Sequence, residues 1–169
     1  MRIGTILSAA ALLTLVALPA VAQTTYTTTL LGTNEVPSNP STATGSATVV
    51  LNAAQTQLSV SCSFANLVGT YTASHIHGPA GVGVNAGVKW GFVGVPAGWV
   101  LSNGDHNGTL TNFIVTGIVA ADVTNLNAGL FYVNVHSTTY PGGEIRGQLN
   151  LAVVPTQKNT WGRIKALYQ

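Results

Sequence analysis

Polar and apolar residues alternate most cleanly over 57–64. There Leu58, Val60, Cys62 and Phe64 fall on one face, and Gln57, Ser59, Ser61 and Ser63 on the other. A period of two places successive side chains on opposite faces, so the stretch predicts a half-buried strand of an antiparallel sheet. Residues 45–52, "GSATVVLN", read as its hairpin partner, with the turn near "NAAQT". Two later stretches repeat the pattern. In "LFYVNVH" the apolar set is Phe131, Val133 and Val135, and the polar face carries Tyr132, Asn134 and His136. In "EIRGQLNL", Ile145, Leu149 and Leu151 point one way, and Glu144, Arg146, Gln148 and Asn150 the other. "STTYPGG" between them is a hairpin turn, marked by its proline and glycines.

Further strands are expected at 25–32, 71–77, 86–93 and 108–119, and one short helical turn at 122–129 with Asp122 or Thr124 as its cap. Many short strands separated by Gly and Pro turns predict an all-β fold, an antiparallel β-sandwich or flattened barrel. Residues 78–104 are dense in glycine but lack the spacing of a phosphate loop, so they read as a long surface loop.

Both ends break from this pattern. Arg2 precedes "ILSAAALLTLVALPAVA", and Ala20 and Ala22 form a small-x-small pair. That order is expected of a cleavable signal peptide at 1–22, which would place the protein outside the cytoplasm, secreted or periplasmic. The domain then spans 23–154. Residues 155–169 read as a polar spacer and a short basic amphipathic tail, with Trp161, Ile164, Leu167 and Tyr168 at helical spacing. The tail is expected to add little to the core and to contact export or anchoring machinery.

Charge narrows the function. Between Gln23 and Pro155, Lys89 and Arg146 stand against Glu35, Asp105, Asp122 and Glu144, a formal balance of −2. A nucleic-acid binder needs clustered basic residues, so no nucleic-acid partner is expected. The single cysteine, Cys62, lies in phase with the apolar face of its strand and reads as a buried, inert thiol.

The chain has four histidines, and two of them occur in "YTASHIHGPAG". Residues i and i+2 of a strand share a face, so His75 and His77 project together while Ile76 points to the core. Two such imidazoles can chelate one ion, and a third from another strand completes a trigonal or tetrahedral set. His136, on the polar face of its own strand, is the natural third. His106, in "SNGDHNG", is a weaker candidate. Copper is favoured over zinc for imidazole ligands, with binding expected to weaken as pH falls through about 6.5. The alternative is a hydrogen-bonded polar patch tying two strands together. Glu144 and Arg146 are expected to form a structural polar network. No Ser-His-Asp set or pair of catalytic carboxylates is evident, which argues against an enzyme.

Three segments, "GTNEVPSNPSTATGSATVVLN" at 32–52, "ASHIHGPAG" at 73–81 and "LFYVNVHSTTYPGGEIRGQL" at 130–149, resemble the CHRD domain, a module named for chordin and found singly in exported bacterial proteins. The resemblance covers roughly residues 25 to 152 and implies a β-rich extracellular module without an established catalytic activity. It points first to a non-catalytic binding protein for an extracellular protein or matrix ligand, and second to a copper or zinc protein. The His-x-His strand and later Val-His strand are also similar to copper-zinc superoxide dismutases. Those hold two metals with more histidines than this chain has, so a dismutase-like fold and redox activity rank third.

Overall fold

The computed structural model describes residues 22–92 and 98–153. The expected signal peptide, but for Ala22, and the tail beyond 153 lie outside the described residues. Ten strands follow in order: β1 (Thr24–Leu31), β2 (Thr44–Leu51), β3 (Gln57–Ala65), β4 (Tyr71–His77), β5 (Val88–Gly91), β6 (Trp99–Ser102), β7 (Asn107–Thr116), β8 (Tyr132–Ser137), β9 (Ile145–Gln148) and β10 (Asn150–Leu151). They form one antiparallel sheet in the order β5-β4-β8-β9-β1-β2-β3-β7-β6, with β10 beside β1. The sheet curls into a half-barrel, as the flattened-barrel expectation required.

The alternation sets which face turns inward. Leu58, Val60, Cys62 and Phe64 of β3 meet Tyr26 and Leu30 of β1, Val49 and Leu51 of β2, and Val133 and Val135 of β8 in one core. The anticipated β2–β3 hairpin forms, with Leu51 opposite Leu58, and Asn52 Oδ1 closes its turn by accepting the Thr56 and Gln57 amides. Aromatic rings hold the curl. Phe64 of β3, Tyr71 of β4 and Trp99 of β6 cluster with centroids 5.1–5.3 Å apart. Phe92, just beyond β5, meets Phe113 of β7 at 5.9 Å, so the two limbs of the sheet touch across the core.

Several expectations are corrected. The glycine-rich stretch 78–104 contains two strands: β5, within the strand expected at 86–93, and β6, which was not expected. The second was hidden because four residues between glycine and turn residues show too little alternation to read. Strand 108–119 ends at Thr116, where Gly117 takes a positive φ of 77°. Leu151 is half exposed, because β10 is a two-residue piece that pairs with β1 alone. The helix α1 runs Ala120–Asn127, starting earlier than expected, so Asp122 sits in its first turn. Asp122 Oδ2 accepts the Val119 amide (3.3 Å), and Oδ1 pairs with Lys89 Nζ (2.6 Å), tying α1 to β5. Thr124 lies inside the helix and donates to the Ala120 carbonyl.

Glu144 and Arg146 do not pair with each other; among the described residues the one ion pair is Lys89–Asp122. Glu144 is fully buried and accepts from Ser41 Oγ (2.6 Å), the Val68 amide (2.6 Å) and Ser137 Oγ. One carboxylate thus pins the β1–β2 and β3–β4 connections to the end of β8. Glu144→Gln replaces one acceptor oxygen by a donor, set against either Ser137 Oγ or the Ser41 hydroxyl and Val68 amide, and should lower the unfolding free energy by about 3 kcal/mol in urea titration. Burial also pushes the Cys62 thiol up to about 12. Thiol reagents at pH 8 should therefore label it only at the rate of unfolding, and immediate labelling of native protein would contradict this packing.

Candidate metal centre

Strand β8 lies between β4 and β9, with His77 opposite Tyr132 opposite Gln148, and His75 opposite Asn134 opposite Arg146. Ile76, Val133, Val135 and Ile145 point into the core, and the other face collects His75, His77, Tyr132, Asn134, His136, Arg146 and Gln148. All six residues of β8 are buried, on the polar face as well as the apolar one.

Two segments roof that polar face. The first is 33–39, following β1. The second is 80–87, part of the stretch read from sequence as a surface loop. Asn85 Nδ2 donates to the Val36 carbonyl (2.9 Å) and joins the two. From below, Arg146 donates to Asn85 Oδ1 (2.9 Å) and the Val84 carbonyl (2.6 Å), and Gln148 donates to the Ala80 carbonyl (2.9 Å). Gly78 makes the approach to the roof possible: its φ is 144°, and a Cβ there would run into the Phe131 ring.

The roof and the β8–β9 turn orient two of the imidazoles. His77 Nδ1 lies 3.0 Å from the Ala86 carbonyl, and His136 Nδ1 lies 3.0 Å from the Pro141 carbonyl. A carbonyl only accepts, so both rings carry their proton on Nδ1 and present a lone pair on Nε2. His136 Nε2 accepts from His75 Nδ1 at 3.0 Å. His77 Nε2 is buried and has no partner. One ligand nitrogen from each of His75, His77 and His136 lies within 4.8 Å of the others. Three imidazoles on one ion, each about 2.0–2.1 Å from it, stand roughly 3.5 Å apart, so a small inward movement closes the set. His75 must then give up its bond to His136. Nδ1–H bonds to backbone carbonyls are the usual way proteins fix a ligating histidine.

His106 does not join the group: its Nδ1 lies 2.6 Å from the Leu67 carbonyl, in the turn between β6 and β7. The sequence reading missed Glu35 and Asn85. Glu35 accepts both contacts of Asn134 Nδ2 (3.1 and 3.2 Å), and Gly143 lies so close to the pair that a Cβ there would strike both. Neither residue belongs to an alternating strand, so periodicity carried no signal for them. The backbone acceptors at Ala86 and Pro141 leave no trace in residue type at all.

The electrostatics keep these rings neutral. Burial, then the facing His136 and His77, lower His75 to about 4. Burial lowers His77, opposed by its bond to Ala86 and reinforced by the charge of Arg146. Burial also lowers His136, against the bond to Pro141. Glu35 moves the other way: burial raises it to about 7, although Arg146 and Asn134 pull it down.

Over residues 26–149 the chain matches the CHRD domain. It belongs to the CHRD family. No curated protein and no solved structure matches it. In this CHRD domain the matched span runs from β1 to just past β9 and takes in all three clustered histidines.

The shifts fix the sign of the pH response. A histidine lowered from about 6.5 binds fewer protons folded than unfolded, so its contribution is intact above pH 6.5. For His75 it is lost as pH falls from there toward about 4. Glu35, raised to about 7, opposes this, because its contribution is full below its ordinary value and declines as pH rises through 7. His75→Gln should therefore flatten the loss of stability on the acid side, and Glu35→Gln should steepen it. Urea unfolding at pH 4.5, 5.5 and 7.5 reads both, and slopes that move together would contradict the assignment.

Proposed function

We propose that this CHRD domain is a non-catalytic binding module, working outside the cytoplasm, whose ligand is a single transition-metal ion held by His75, His77 and His136. The observation that carries the reading is the buried Nε2 of His77, a lone pair without a partner beside two more imidazoles. An unmet buried acceptor costs roughly 1–3 kcal/mol, and a bound ion removes that cost. Imidazole ligands favour copper over zinc in the divalent series. Three protein ligands leave the ion an open position, which suits uptake and release. Export rests on the Arg2-led apolar start and the Ala20–Ala22 pair, and the basic tail would serve sorting or anchoring.

Calorimetry of the full-length protein freed of its first 22 residues tests the reading. One copper ion per chain should bind at pH 7, with zinc weaker. His77→Ala should weaken copper by about a hundredfold, while His106→Ala changes it less than about threefold. A ligand nitrogen must be unprotonated. Because the ring pKa values lie below the ordinary 6.5, uptake should persist at pH 6 and fade toward pH 4. No uptake at pH 7, or equal binding by His77→Ala, would overturn the proposal. A superoxide assay on the copper-loaded protein separates the weaker, dismutase-like reading.

A further inference from the structure

Arg146 is the most deeply buried cation in the described chain, 2 % exposed, and no carboxylate lies within 4.0 Å of it. A buried charge without an ionic partner is unfavourable unless something specific holds it. Here two neutral oxygens, Val84 O and Asn85 Oδ1, accept from the guanidinium, and its carbon sits 3.4 Å above the centre of the Tyr132 ring. His77 stacks on the same ring, with centroids 5.0 Å apart and planes 5° from parallel. Since β4 and β9 flank β8 on opposite sides, the three groups form a layered stack: imidazole, phenol, guanidinium. Tyr132 is locked within it by its hydroxyl, which accepts from the Ala86 amide and donates to the Ala86 carbonyl. A fixed positive charge therefore lies one aromatic layer from a candidate metal ligand.

No carboxylate pairs directly with that charge, and Glu35, which Arg146 pulls toward ionisation against its burial, offsets it only in part. Glu144 is occupied by Ser41, Val68 and Ser137. Glu35 is bonded to Asn134, and burial pushes it toward its neutral form. The candidate ligand set holds three neutral imidazoles and no anion. Each added positive charge on the bound ion is thus repelled by Arg146 with no ligand charge to offset it. Three-imidazole geometry works in the same direction, because divalent copper prefers tetragonal sites with further N or O ligands.

We propose that Arg146 is a positioning and charge-tuning residue that biases the three-histidine site toward monovalent copper. This rests on the metal-binding reading above. Arg146 acts through Tyr132 and does not touch the ion.

The test compares Cu(I) and Cu(II) affinities of the native chain, Arg146→Gln and Arg146→Lys, using chelator competition for each oxidation state. A merely structural role would weaken both ions equally in Arg146→Gln. Charge tuning predicts that the Cu(I):Cu(II) affinity ratio falls about tenfold, equivalent to a midpoint potential lower by about 59 mV for one electron. Arg146→Lys, which keeps the charge, should stay within about threefold of the native ratio. An unchanged ratio in Arg146→Gln that still binds copper overturns the inference, as does a lysine variant that behaves like glutamine. Should the glutamine variant fail to fold by circular dichroism, the native protein decides: Cu(I) must outcompete Zn(II) by at least about a hundredfold, and comparable affinities overturn the inference. Native protein that binds neither copper ion overturns the metal reading itself, a distinct result.

Discussion

Burying the polar face of β8 is the constraint from which the rest of the structure follows. An antiparallel sheet ordinarily leaves such a face to water. Here Tyr132, Asn134 and His136 are as buried as the valines between them. Each polar atom taken from water needs a partner, and the partners come largely from backbone carbonyls of the 80–87 segment and the Glu35 carboxylate of 33–39. Ala80, Val84 and Ala86 supply three acceptors from one short stretch, which explains its small residues and glycines: the chain must pass close over the sheet. Where that supply stops, two side-chain atoms on this face remain unmatched, His77 Nε2 and Asn134 Oδ1. Both lie beside the histidine cluster.

The same constraint sorts the charges. Glu144 and Arg146 stand two residues apart yet serve different parts of the fold. The carboxylate gathers hydroxyl and amide donors from three segments, and the guanidinium gathers carbonyl and amide acceptors from a fourth. Keeping them apart leaves each charge with its own fixed dipoles. It also leaves the guanidinium without a direct ionic partner one aromatic layer from the imidazoles, which is the basis of the charge tuning proposed above.

Much of this was legible in the chain. Period-two alternation located β2, β3, β8 and β9, and it placed His75, His77 and His136 on polar faces. Strand geometry then made their convergence a natural expectation. What escaped has a common physical origin. Strand β6 is too short for alternation to register, and the helix begins before Asp122 because that residue caps it from inside the first turn, through the Val119 amide. Glu35 and Asn85 sit in loops whose course is decided by contacts across the fold. The glycine-rich stretch read as a surface loop because its function resides in carbonyl groups, which every residue carries. For the same reason the sequence suggested ordinary histidines titrating near 6.5, whereas the roof, by burying them, lowers all three.

The claim on which everything turns is that the roof and the β8–β9 turn fix His77 and His136 with their Nδ1 protons toward backbone carbonyls and their Nε2 lone pairs toward the cluster. Nitrogen-15 NMR of the metal-free protein at neutral pH reads this directly. His77 and His136 should both appear as neutral rings protonated on Nδ1, with Nε2 bare. Protonation on Nε2 in either ring, or an imidazolium signal at pH 7, would contradict the account.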